Sequence, residues 1–233
     1  EYRLAIPQEN SYGRTHPRSG ERINVLREVY TVDPAWDTPP NPQLEARFER
    51  IKAKLIGFVS EPQQTLLKYP ESDRSIPAHY ARAYAWHKSA YPEKALSEAD
   101  ALLTAAPHDP YFLELKGQIL FEEGRPAEAV AAHREAVRLK PDAPLLRVNL
   151  AHALIETNDK AKLDEAIDQL KHAVVAEKDN TMAWRLLAQA YASQGKEGEA
   201  RLASAEYYFA GGDEKQATQF ALRARSMLDP GSI

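Results

Sequence analysis

A period of 34 residues constrains this chain more than any other feature of it. Pro107 stands 34 residues before Pro141, Ala95 stands 34 before Ala129, and Ala83 stands 34 before Gly117. Each residue type suits one place in a helical hairpin. Proline ends the second helix, glycine turns the chain, and small side chains let the helices approach to about 8–10 Å. A unit repeated at this length cannot bury its apolar face alone and must stack on its neighbours. The chain therefore reads as an array of helical hairpins with no need for strands.

Residues 110–141 carry the most complete copy, with Gly117 at the helix crossing, Gly124 at the turn, Ala129 and Ala136 in the second helix, and Pro141 at the end. Trp184, Leu187, Ala188 and Tyr191 fit W-x2-L-[GA]-x2-Y, followed by Gly195 and Ala200. In these features the chain resembles tetratricopeptide-repeat proteins. The expected fold is all-α: a right-handed solenoid of tetratricopeptide-like hairpins, about four to five pairs, with irregular terminal units.

The rest of the chain is placed around that array. Residues 1–18 show no sustained period and read as a loop. Ser19 is a candidate N-cap for a helix carrying Ile23, Leu26, Val29 and Tyr30. The run VDPAWDTPPNP then breaks regular structure, since each proline removes an amide donor and restricts the residue before it. Trp36 within it is expected to dock on a neighbour. A helix over 43–58 has Leu44, Phe48, Ile51, Leu55 and Phe58 on one face, and a shorter helix over 61–69 places Leu66 and Leu67 for packing; together they resemble a degenerate first hairpin. Regular pairs are expected over 76–88 with 92–105, 110–122 with 126–139, and 144–156 with 163–177. Ala166 lies 37 residues after Ala129, so the fourth turn carries three extra residues.

Composition narrows the function. A net charge of −4 with 27% charged residues lacks the basic bias of nucleic-acid binders, and no run approaches the roughly 20 apolar residues of a membrane span. There is no cysteine, hence no disulfide and no thiolate nucleophile or metal ligand. None of the seven histidines pairs with another at i+3 or i+4, and HExxH, Walker and GxSxG signatures are absent. His79 and His87, eight residues apart, come nearest to sharing a helical face.

A repeat array offers a groove lined by its first helices. Counting from Pro110, the groove positions hold Tyr111, Glu114, Gln118, Phe121 and Glu122. The preceding unit contributes Tyr80, Tyr84, His87 and Lys88, and the following ones contribute Leu145, Val148, His152 and Ile155, then Met182, Arg185 and Gln189. From these, Tyr80, Tyr84, His87, Tyr111, Gln118, Phe121, Val148, His152 and Arg185 are the candidate contacts for a protein or peptide partner. Aromatic anchors among a few charges suit an extended or helical polypeptide. An equally open alternative is that part of this face is filled by the protein's own neighbouring domain. Glu114 and Gln118 occupy two places where chaperone-binding arrays carry a lysine and asparagine clamp for a C-terminal carboxylate, which argues against that ligand.

A further resemblance enters through Arg14-Thr15-His16-Pro17 and Ser19-Gly20-Glu21-Arg22-Ile23. It continues through Arg50-Ile51-Lys52-Ala53-Lys54-Leu55, Lys68-Tyr69-Pro70, residues 110–118, Thr157-Asn158-Asp159-Lys160 and Trp184-Arg185-Leu186-Leu187-Ala188. In these segments the chain is similar to BepA-like zinc metalloproteases, periplasmic proteins with a C-terminal tetratricopeptide domain. The resemblance implies that residues 1–37 are the C-terminal remnant of a peptidase domain plus a Pro-rich linker, and 38–233 the repeat domain. It implies a periplasmic location, a role in outer-membrane protein quality control, and the parent's catalytic domain as one partner. The catalytic HExxH helix is not in these residues, so no catalytic residue or cofactor is assigned to the chain itself. The resemblance implies zinc in a parent protease, where His16 would lie near the metal and gate it. A free-standing repeat scaffold unrelated to proteolysis is the alternative.

Overall fold

Local sequence sets the ends of the helices. In the computed structural model, which describes residues 19–229, the Asp109 carboxylate caps a helix by accepting from the Tyr111 amide at 2.9 Å and the Phe112 amide at 3.3 Å. Pro110 follows at the first helical position, where its missing amide costs nothing, and the cap contributes about 1 kcal/mol. Ser75, Asn180 and Asp213 cap three other helices in the same manner.

The opposite ends share a turn that glycine alone does not announce. Ala90 at φ 58°, Gly124 at φ 73°, Asn158 at φ 55° and Gly195 at φ 75° all adopt the left-handed conformation after a hairpin's first helix. The first three stand 34 residues apart, and the fourth 37 further on. At Ala90, Gly124 and Gly195 the left-handed residue's amide bonds the carbonyl three back, and the next amide bonds the one five back, as in Tyr91 to Trp86 at 3.0 Å. This arrangement satisfies carbonyls that the helix end would leave bare.

The chain forms two compact units, one extending to Phe48 and the other running from Glu49. The first holds α1 (Ser19–Tyr30), a 3-10 turn at Pro34–Asp37 and the start of α2 (Pro42–Val59). Within it Trp36 does find a neighbour, stacking on Tyr30 at 4.6 Å, yet it stays 56% exposed. The α1 residues Ile23, Leu26 and Val29 are exposed as well.

The second unit is the repeat array. After the remainder of α2 and the short α3 (Pro62–Lys68) come α4 (Ile76–Lys88) with α5 (Pro92–Ala105), α6 (Pro110–Glu122) with α7 (Pro126–Leu139), and α8 (Pro144–Glu156) with α9 (Leu163–Ala176). Then follow α10 (Thr181–Ser193), α11 (Glu197–Ala210) and α12 (Glu214–Met227), with α11 packed against helices on both sides. The three extra residues of the fourth turn form a 3-10 turn at Lys160–Lys162. The period survives in the core: Ala83, Gly117 and Ala151 are buried at the crossing, with Ala95, Ala129 and Ala166 opposite them. Leu115, Leu146, Leu154, Leu170 and Leu186 fill the space between, each stabilising the array by about 2 kcal/mol through burial.

The first two helices of the array bury less than the regular units. α3 has only seven residues, and the α2 stripe of Leu44, Phe48, Ile51, Leu55 and Phe58 is exposed rather than buried. Leu67 of α3 also faces outward, while Thr65 is buried. The opposite side of α2 makes the contacts, through Ala53 and Gly57, whose small size permits close approach: a Cβ at position 57 would stand 2.8 Å from the Ala81 carbonyl oxygen and 3.0 Å from Tyr84 Cβ. No helix among the described residues is long and apolar enough to cross a membrane.

Candidate functional site

The first helices of successive hairpins, α4, α6, α8 and α10, supply the groove residues in rows. Tyr111, Leu145 and Met182 recur at the second position of each helix, and all three are exposed. Further along, Phe121 of α6 meets His152 of α8 with ring centroids 4.5 Å apart, and both are partly buried. Arg185 of α10 is exposed beside Met182, its Nη2 lying 3.1 Å from the Met182 sulfur. Gln118 donates to Glu122, whose other oxygen is paired with His87 Nε2 at 2.6 Å, so one carboxylate ties α4 to α6. The open portion of the face thus combines an apolar row, an aromatic pair and charges of both signs.

At its α4 end the face is covered by the chain itself. Arg50 of α2 forms a bidentate pair with Asp109, at 2.5 and 2.8 Å, and lies 4.2 Å above the Phe112 ring. Its guanidinium is also 5.7 Å from the centre of Tyr80 and 5.9 Å from that of Tyr111. One turn later Lys54 reaches 3.9 Å from Glu114 Oε2 and 5.8 Å from the Tyr80 ring. Phe58 then meets Tyr84 edge-on at 6.1 Å, and Lys88 Nζ donates to the carbonyls of Phe58 and Ser60 at 2.9 and 2.7 Å, closing the C-terminal end of α2 onto α4.

This arrangement changes the list of candidate contacts. Tyr80 and Val148 are 1% and 3% exposed and present no side-chain surface to a ligand. Tyr80 is enclosed by Tyr84, Phe112, Arg50 and Lys54, whereas Val148 belongs to the continuous core between hairpins. Tyr84 and His87 are partly covered, while Tyr111 and Arg185 are exposed. Burial drives the Tyr80 and Tyr84 phenols well above their ordinary range, so both remain protonated donors. Burial also raises the Glu114 carboxyl, against the opposing pull of Lys54. Its Oε2 and the Tyr80 hydroxyl lack hydrogen-bond partners, and Oε1 receives only Asn149 Nδ2 at 3.3 Å.

Arg50, Lys54 and Asp109 escape a search by repeat position. Their sequence signal is a basic pair four residues apart on the side of α2 away from its apolar stripe. His79 and His87 do not converge: His79 binds Glu98 on α5 at 2.5 Å and His87 binds Glu122 on α6. No group of three or more His, Cys, Asp or Glu among the described residues is arranged to hold a metal. His16 lies outside the described residues.

Comparison with known proteins agrees with this architecture. The sequence pattern of the cytochrome c-type biogenesis protein H TPR domain matches residues 101–207. The chain is similar to the beta-barrel assembly-enhancing protease of Yersinia pestis, with 25% identity over 94% of this chain and 45% of that protein. To the protein of the same name from Escherichia coli K12 it is 29% identical, over 67% of this chain and 31% of that one. The chain thus spans less than half the length of these relatives. Among solved structures it superposes on YrrB, described as a TPR protein with an unusual peptide-binding site, with a TM-score of 0.59, 18% identity, and 87% and 97% of the two chains covered. MamA gives a TM-score of 0.56 at 17% identity, covering 75% of this chain and 99% of its own. The fold is a tetratricopeptide-repeat solenoid.

Proposed function

We propose that this chain is the polypeptide-binding repeat portion of a BepA-like periplasmic zinc metalloprotease and docks substrates or partners in outer-membrane protein quality control. The observation that carries the binding role is that the first helices carry exposed Tyr111, Leu145, Met182 and Arg185 together with the partly buried Phe121–His152 pair. An apolar row edged by hydrogen-bonding groups suits a polypeptide that offers side chains and a polar backbone together. The similarity to two beta-barrel assembly-enhancing proteases supports the biological setting, and the metal-dependent step would belong to their remaining length.

The test uses an unfolded outer-membrane β-barrel polypeptide, diluted from urea, as the probe. Tyr111→Ala with Phe121→Ala should weaken its capture by tenfold or more while helicity is retained. Unchanged capture by a fully helical variant would remove the groove assignment. The role proposed for His16, gating a zinc supplied by the parent's catalytic domain, is tested separately by His16→Ala in the intact protease. Metal affinity or proteolytic rate should change.

A further inference from the structure

α2 is attached to the array in an unusual way for its first helix. Most of its apolar stripe is exposed, and the side turned toward α4 and α6 is mainly small and basic, with Ile56 as a large apolar residue packed on the cluster that holds Ala78 and Ala81. Ala53 and Gly57 contribute little apolar area, and the Arg50–Asp109 pair keeps 26% and 16% side-chain exposure. Such a contact is specific in geometry but modest in strength.

The fit beneath it is also incomplete. Lys54 stops 3.9 Å short of Glu114 Oε2, and neither that oxygen nor the buried Tyr80 hydroxyl has a hydrogen-bond partner. Leaving buried polar atoms unpaired is costly, so a cation of better reach would gain what Lys54 leaves unmade. Asp109, Glu114, Tyr80, Tyr84 and Phe112 make this trough acidic and aromatic, a surface suited to basic side chains through both ion pairs and ring faces.

We propose that the trough between α4 and α6 recognises a helical polypeptide segment carrying two basic residues four positions apart beside small residues, and that α2 is its displaceable resident. In α2 the recognised pattern is Arg50 and Lys54 with Ala53 and Gly57. An external segment of the same pattern takes the place of α2, exposing the full length of the concave face to the partner that carries it. The proposal rests on the concave face being a polypeptide-binding surface.

The probe is a labelled synthetic peptide of residues 42–60, added to the full chain and followed by fluorescence anisotropy. Arg50→Glu with Lys54→Glu sets like charges against Asp109 and Glu114, and Gly57→Leu wedges α2 from Ala81 without altering charge. Both variants should bind the peptide at least tenfold more tightly than the unaltered chain. A peptide with Gln in place of Arg50 and Lys54 should lose at least tenfold. In the unaltered chain, excess peptide should accelerate hydrogen exchange at residues 50–57. Equal binding to all three chains, or no binding to the Gly57→Leu chain, overturns the proposal. Phe121→Ala should leave this peptide's binding unchanged while weakening β-barrel capture, so the two readings fail separately.

Discussion

Gly117 lies directly against the imidazole of His133, so closely that a Cβ at position 117 would stand 2.5 Å from Cε1 and 2.7 Å from both ring nitrogens. The ring cannot retreat easily, because His133 is 2% exposed. Gly117→Ala should destabilise the fold by about 1–3 kcal/mol through overpacking, measured by urea denaturation. Pairing it with His133→Ala should recover part of the loss, and a purely additive double variant would contradict the contact.

His133 also makes the array sensitive to acid. Burial and the nearby His152 hold its pKa at about 4, against an ordinary value of 6.5. The unfolded chain therefore takes up a proton as pH falls through about 6.5, while the folded chain declines it until about 4. Stability is fully present above that window and decreases across it, by up to about 3 kcal/mol from this residue. His133→Asn should flatten the slope between these pH values, whatever its effect on absolute stability. His152, lowered mainly by its own burial, acts in the same direction.

Glu114 has the opposite sign. Its folded pKa is raised, so its contribution is favourable below the ordinary value of 4.5 and is lost as pH rises through the folded one. Glu114→Gln should raise the melting temperature at pH 7 and have little effect near pH 4. A lower melting temperature at pH 7 would mean that the Lys54 pair outweighs burial.

Arg82 is a clamp. At 1% exposure it donates to Glu98 at 2.7 and 3.0 Å and to the carbonyls of Pro70 and Asp73 at 2.9 and 2.8 Å, tying the α3–α4 turn to α5. Arg82→Ala should cost about 3–5 kcal/mol by leaving the Glu98 carboxylate to His79 alone and removing a buried donor from two carbonyls. Arg82→Lys should rescue little, since one ammonium cannot reproduce the planar fork. Faster amide exchange across residues 70–75 would localise the damage.

Ala90 adopts φ 58° where the next unit has Gly124. A side chain there costs about 1 kcal/mol, so Ala90→Gly should raise stability by that order, read as a higher urea midpoint. Asn158 tolerates the same conformation better, and Asn158→Gly should change little.

How much was legible follows from which residues obey the period. Gly117, Ala129 and Ala136 mark crossings that every unit needs, and those helices fall where the spacing places them. Ala90 and Asn158 conceal the same turn, because the left-handed conformation is enforced there by neighbouring helices rather than by the residue itself. Tyr80 and Val148 occupy groove positions by count, but count does not reveal what lies above them. For α2, apolar periodicity identifies a helix's greasy side without saying that it is buried. Here the two small residues and two cations on the other side decide the contact.

The Arg50–Asp109 bond has a mechanical consequence. Arrays whose units touch only their neighbours unravel from an end, one unit at a time. A link from α2 to the start of α6 bypasses the α4–α5 hairpin and encloses it in a loop of the chain. Pulled from its N-terminal end, the array should resist until that link parts and then release the α4–α5 hairpin with α2 in a single step, a latch at one end of an otherwise smooth zipper.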